Sequence, residues 1–140
     1  MQSTPQRVRE YSHKGKLIAV LYRRGFQKVG KHAVFLSDPK SSLQVGGGIY
    51  RKNHIGEPHD HDRRQVLKTH YEELLHLDDG RMRVSLYGDD RKKFTSFVMQ
   101  TGDTLHLISG GHSFEMLTDC RCIEVKQGPY GGQNKRYFDH

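Results

Sequence analysis

The chain contains no tryptophan, only two cysteines and four prolines, and no long hydrophobic run. Its longest apolar stretch, residues 17–22, is far shorter than the ~20 residues that a helix needs to cross a bilayer, so we predict no membrane span and no signal peptide. Cys120 and Cys122 occupy alternate positions. Two such positions on a strand lie about 6.5–7 Å apart, at the limit of what a disulfide can span, so we expect reduced thiols in a cytoplasmic protein.

Length and composition favour one all-β domain. The chain has 140 residues, of which 34% are hydrophobic and 28% charged, a balance that is polar but not typical of disorder. Its 15 glycines and the scarcity of helical periodicity favour short strands joined by turns. We predict a flexible N-terminal arm over residues 1–14, a single domain over 15–132 and a short basic tail over 133–140.

A formal net charge of +7 permits an acidic partner, but the basic residues are spread along the chain. No sequence signature of a nucleic-acid-binding module accompanies them, and neither an aromatic stacking face nor a recognition helix is evident. Nucleic-acid binding therefore ranks below small-molecule binding as a function of this chain.

Turn signals recur about every ten residues, the rhythm of a β-sandwich or barrel. Strands are predicted at residues 17–22, 32–36, 43–51, 73–77, 81–87, 94–99, 104–108, 112–117 and 121–127. Asp79 and Gly80 are predicted to close a hairpin, because alternating apolar residues follow at once. The segment 65–77 is also rich in helix formers, and a helix there would carry Glu73 away from any strand partner.

Four side chains have the chemistry and the spacing of a metal site. His59 and His61 lie two residues apart, so on a strand both rings point to the same face. Glu73 and His112 each begin a row of inward-facing apolar residues on a predicted strand. Imidazoles and a carboxylate are ligands that divalent transition metals accept, and such a set leaves open positions for a substrate. Fe, Mn, Ni, Co and Zn all suit it, so the sequence does not choose the metal.

The segment 56–127 resembles the cupin family. The resemblance is carried by Gly56, His59, His61, Glu73 and Gly80 for the family's first motif, and by Gly102 and His112 for the second. The spacer between His61 and Glu73 is longer than the family usually has, and Ile108 stands where proline is common. The resemblance implies a double-stranded β-helix, or jelly-roll barrel, that holds one divalent metal ion through His59, His61, Glu73 and His112.

The resemblance also implies an activity: a metal-dependent enzyme of the dioxygenase, isomerase or decarboxylase kind. Its substrate would be anionic or sugar-related, and some relatives accompany surface-polysaccharide and nucleotide-sugar enzymes. Candidate substrate-binding residues are Arg51, Arg63, Lys68 and Gln127, and candidate acid–base residues are His106 and Tyr130. The alternative is a small-ligand-binding or sensing module that performs no reaction. A homodimer is implied too, with the strand at 17–22 as the shared edge.

Overall fold

The computed structural model describes residues 6–61, 70–128 and 135–138, and every helix or strand assigned within them is a β-strand. The strands are β1 (Val8–His13), β2 (Lys16–Tyr22), β3 (Val34–Phe35), β4 (Gly46–Gly47), β5 (Glu73–Asp79), β6 (Arg81–Tyr87), β7 (Lys93–Gln100), β8 (Thr104–Leu107), β9 (Gly111–Met116) and β10 (Arg121–Lys126). The predicted all-β class is confirmed, and β5 confirms a strand rather than a helix at Glu73. None of the described segments forms a helix long and apolar enough to cross a membrane.

The chain divides into two compact units. The first unit comprises residues 1–26 and 71–140, and the second comprises residues 27–70, a division that falls inside the single domain predicted over 15–132. The first unit contains two antiparallel sheets, one with the strand order β1-β2-β8-β5-β10 and one with the order β7-β6-β9. Over the described residues these sheets do not close into a barrel.

Burial alternates along the strands of the first unit, as expected for sheets with one face on a core. In β6, Met82, Val84 and Leu86 are fully buried while the residues between them are more exposed. The buried core residues are Tyr11, Ile18, Ala19, Leu21, Leu75, Leu77, Met82, Val84, Leu86, Met99, Leu105 and Leu107. Because both sheets contribute to this cluster, the core lies between them.

Gly80 joins β5 to β6, but these strands do not form the predicted hairpin, since each belongs to a different sheet. Gly80 has a φ of +112°, and a Cβ there would lie 2.5 Å from the Asp119 carbonyl oxygen, so only glycine fits this corner. Leu77 and Met82, on either side of the corner, both belong to the core. The prediction was wrong because a glycine turn between two alternating strands has the same sequence pattern whether the chain folds back or crosses to a second sheet.

The N-terminal segment also differs from its prediction. Residues 8–13 lie inside the predicted arm 1–14 but form β1, which pairs with β2. The reason is an apolar anchor in a polar strand: Tyr11 is buried, and its ring stacks on Phe97 at 4.6 Å between centroids. As a result β2 has hydrogen-bonded neighbours on both sides, and residues 17–22 offer no sheet edge to a second copy. The predicted dimer edge is therefore wrong.

The second unit contains a short antiparallel ladder in which Val34 pairs with Gly47 and Phe35 with Gly46. A Cβ on Gly46 would lie 2.4 Å from the Val34 carbonyl oxygen, so the two backbones approach too closely for any residue but glycine at this position. A turn follows β3, in which the Ser41 N–H donates to the Asp38 carbonyl at 2.8 Å.

Candidate metal centre at Glu73 and His112

Glu73 is the first residue of β5. Its register partners are Leu107 on β8 and Lys126 on β10. Leu75 and Leu77, further along the same strand, belong to the core, so Glu73 lies on the core-facing side at the end of an apolar row. Its side chain is half-buried, with 26% of its surface exposed. The structure thus places this carboxylate as the alternation of β5 predicts.

His112 approaches Glu73 from the other sheet. On β9 it pairs with Leu86, a core residue, and directly opposite residues on paired strands share a face. The His112 ring stacks on Phe114 at 5.1 Å between centroids. Its Nε2 lies 3.5 Å from Glu73 Oε2. Two of the four predicted ligands, far apart in sequence, therefore meet in the structure.

Tyr71 orients the Glu73 carboxylate. The Tyr71 hydroxyl donates a hydrogen bond to Glu73 Oε1 at 2.5 Å, while the other carboxylate oxygen, Oε2, lies near His112. A contact of this kind to one oxygen fixes the direction of the second, and such contacts support ligand carboxylates in metal sites. The sequence prediction missed Tyr71, although its position two residues before Glu73 is a signal that could have found it.

Burial lowers the pKa of His112 below its usual value. The Glu73 carboxylate acts against this shift, the Lys135 ammonium acts with it, and Glu124 again acts against it. The net lowering keeps the imidazole neutral at pH 7. A neutral imidazole retains the lone pair that a metal ion requires, so no proton has to be displaced before an ion binds.

The distance between the two side chains fits shared coordination better than a hydrogen bond. A separation of 3.5 Å between His112 Nε2 and Glu73 Oε2 exceeds the roughly 2.7–3.2 Å of a good N–H···O bond. Two ligands bound at about 2.0–2.2 Å to one tetrahedral ion lie about 3.3–3.6 Å apart. Within residues 6–61, 70–128 and 135–138, no group of three or more His, Cys, Asp or Glu side chains is arranged to hold a metal ion. The observed arrangement is therefore a pair of donors.

His59 and His61 lie in the second unit, in a loop rather than on a strand. Their rings are adjacent, with centroids 5.0 Å apart. His59 Nδ1 lies 2.8 Å from the Glu57 carbonyl oxygen, and a donor there leaves Nε2 as the nitrogen that can bind a metal. That His59 and His61 share an ion with Glu73 and His112 stays a prediction.

Among the other predicted site residues, His106 lies apart from the pair. His106 is fully buried and lies opposite Leu74 in register, on the face of the sheet away from Glu73. Arg51 is exposed and belongs to the second unit. Gln127 follows β10, and its Oε1 is buried with no hydrogen-bond partner in the described chain. Arg63, Lys68 and Tyr130 lie outside the described residues.

A second acid–imidazole pair was missed entirely. His106 Nε2 lies 2.6 Å from Glu72 Oε1, and both side chains are fully buried. The consecutive residues Glu72 and Glu73 thus each contact a histidine, on opposite faces of one sheet. Only the strand register, with Leu74 opposite His106, brings the buried pair together, and the sequence does not specify that register.

Comparison with protein families, curated proteins and solved structures found no match to this chain.

Proposed function

We propose that this protein binds one divalent transition metal ion through Glu73 and His112, and that the ion anchors a small anionic or sugar-related ligand. The observation that carries the proposal is the 3.5 Å separation of His112 Nε2 and Glu73 Oε2, which suits two ligands of one ion. The sequence adds His59 and His61 as the other predicted ligands. A cupin-like double-stranded β-helix in a cytoplasmic protein is the form of the all-β fold that the proposal implies.

Each neighbouring residue has a defined part in the proposed site. His112 supplies a neutral nitrogen donor, and Tyr71 holds the Glu73 carboxylate so that Oε2 faces His112. Lys135 lies close enough to lower the pKa of His112, and its positive charge favours an anionic ligand at the same place.

A bound divalent ion supplies the ability to polarise a ligand oxygen or to lower the pKa of water. Chemistry of the dioxygenase, isomerase or decarboxylase kind is therefore the proposed class. A binding module without turnover is the alternative. Product formation from candidate sugars and acids, measured with the metal-loaded protein, distinguishes the two.

Titration of the metal-free protein with Co²⁺, followed by calorimetry and visible absorption, tests the proposal. We expect one ion per chain, and at least about tenfold weaker binding in Glu73→Gln and in His112→Gln, because each variant removes a donor while keeping side-chain size. Glu115→Gln is the matched control. Glu115 is an exposed carboxylate on the same strand as His112 and pairs with Arg83 at 3.1 Å, so its loss should leave the affinity unchanged.

Unchanged affinity in both Glu73→Gln and His112→Gln would refute the proposal. A double variant, His59→Gln with His61→Gln, separates the pair seen in the structure from the set predicted by sequence. Weaker binding in the double variant would add the two histidines to the ligand set. Equal affinity would remove them and leave Glu73 and His112 as ligands.

A further inference from the structure

Two exposed aromatic rings lie along a run of glycines in the second unit. Phe35 on β3 is 60% exposed, and Tyr50, three residues after β4, is 49% exposed. A Cβ built on Gly46 would lie 2.9 Å from Phe35 Cδ1, and one built on Gly48 would lie 3.1 Å from Tyr50 Cζ. Each ring therefore occupies the space that a side chain would take on a glycine of the run 46–48.

The two rings lie on the same side of this glycine run. Phe35 and Gly46 are register partners in the ladder of β3 and β4, and opposite residues in a ladder share a face. Gly48 follows Gly46 by two positions, so on an extended chain it lies on that face too, about 6.5–7 Å further along. Glycine thus leaves room for two neighbouring rings on one face, which we call the ring face.

Tyr50 is held in position by the turn that follows it. The His54 N–H donates to the Arg51 carbonyl at 3.0 Å, and Asn53 has a left-handed conformation with a φ of +72°. This turn returns the His54 ring to Tyr50, and the two rings stack with their centroids 5.2 Å apart. An exposed ring that is already positioned loses little conformational entropy when a planar ligand stacks on it.

The segments that carry the two rings are basic. Residues 27–37 and 45–55 contain no Asp or Glu, and their four basic residues, all exposed, are Lys28, Lys31, Arg51 and Lys52. Lys28 lies beside the glycine run, because its carbonyl accepts the Ile49 N–H at 2.9 Å. Exposed rings and cations in one place suit a ligand that contains planar bases and phosphates.

A protein partner suits the ring face less well. Val34, Leu36 and Ile49 are exposed aliphatic residues that flank the two rings in sequence. They alternate with the rings along the extended chain and so point to the opposite side. The ring face is therefore aromatic and basic rather than broadly apolar, and its charge is complementary to a polyanion.

We infer that the second unit binds single-stranded nucleic acid on the ring face, with bases stacked on Phe35 and Tyr50 and phosphates bound by the neighbouring Lys and Arg side chains. The net charge of +7 favours the approach of such a polyanion. No stacking face is evident in the sequence, because the two rings come from separate segments and meet only through the ladder and the glycine run. The inference uses none of the four predicted metal ligands and is independent of the proposed metal site.

Fluorescence anisotropy of the full chain with a labelled oligothymidylate of about 12 nucleotides tests the stacking. We expect saturable binding that weakens at least about fivefold in Phe35→Ala and in Tyr50→Ala, because each variant removes a stacking surface. Phe35→Tyr and Tyr50→Phe keep an aromatic ring and should keep the native affinity. Tyr137→Ala, which removes an exposed ring outside the ring face, is the matched control and should bind as the native protein does. No binding by the native protein, or unchanged affinity in both alanine variants of the ring face, would overturn the inference.

The salt dependence of the same binding tests the phosphate contacts separately. Each phosphate contact to a single strand contributes about 0.7 to the slope of log affinity against log salt concentration. Lys28→Gln combined with Lys52→Gln should therefore reduce the magnitude of the slope by about 1.4. Lys92→Gln combined with Lys93→Gln removes the same charge from exposed positions of the first unit and should leave the slope unchanged. Equal slopes in the two double variants would contradict binding at the ring face.

Discussion

Removal of the Glu72 carboxylate should destabilise the first unit more than removal of any exposed carboxylate. His106 Nε2 lies 2.6 Å from Glu72 Oε1, and neither side chain is accessible to solvent. His106 Nδ1 is already buried with no hydrogen-bond partner in the part of the chain that the structure describes. In Glu72→Ala, Nε2 loses its partner as well, so a buried imidazole is left with both nitrogens unsatisfied.

The size of the effect follows from this burial. Breaking a buried acid–imidazole pair costs about 3–5 kcal/mol in free energy of unfolding, a large part of the stability of a small domain. Glu72→Gln keeps an acceptor oxygen for Nε2 and should cost about 1–2 kcal/mol, the difference between a charged and a neutral acceptor. Glu115→Ala removes the exposed partner of Arg83, and exposed pairs contribute about 0–1 kcal/mol.

Urea unfolding at pH 7, followed by circular dichroism, gives the three free energies. We expect the largest loss in free energy of unfolding for Glu72→Ala, a smaller loss for Glu72→Gln and the smallest loss for Glu115→Ala. If Glu72→Ala destabilises the protein so much that it does not fold, Glu72→Gln still provides a measurable value. A loss below about 1 kcal/mol for Glu72→Ala, equal to that of the exposed control, would refute the idea that this pair is a buried structural contact.

Three further predictions concern the core, a buried carboxylate and the pH dependence of stability. Leu86 is fully buried in β6, so Leu86→Ala should lower the free energy of unfolding measured by urea titration by about 2–5 kcal/mol. A loss under about 1 kcal/mol would contradict the place of Leu86 in the core. Asp103→Ala leaves the backbone N–H groups of Arg24 and Gln100 without their acceptor, and should raise the unfolding rate and cost at least about 1–3 kcal/mol. The pKa of His112 is lowered in the folded protein, so stability should fall as pH drops from about 6.5 towards the folded pKa. Metal-free His112→Gln should therefore lose less stability than the native protein between pH 7 and 5. Equal losses in thermal denaturation at the two pH values would contradict the last prediction.

Much of the strand pattern could be predicted from the sequence, because alternation reports directly on burial. Met82, Val84 and Leu86 recur every second residue, and all three are buried in β6 as that period requires. The same reasoning placed Glu73 and His112 on inward-facing rows, and the structure brings them together. These predictions succeeded because each depends on the direction of a side chain within its own strand.

Predictions that depended on strand partners were less successful. Alternation does not say which strand pairs with which. The sequence therefore predicts a hairpin at Gly80 and a sheet edge at residues 17–22, and the structure has neither. The buried pair of Glu72 and His106 was missed for the same reason, because it forms only when β5 and β8 pair in one register. Sheet order and register arise from packing between distant segments, and a single sequence carries little direct information about either.

A crystal of the protein grown with Co²⁺, with diffraction recorded at the cobalt absorption edge, tests whether Glu73 and His112 bind one metal ion. We expect an anomalous peak about 2.0–2.2 Å from both His112 Nε2 and Glu73 Oε2. The same map shows whether His59 and His61 contribute the remaining ligands. Cobalt found elsewhere on the protein, with His112 and Glu73 in contact and no ion between them, would contradict the proposed metal site.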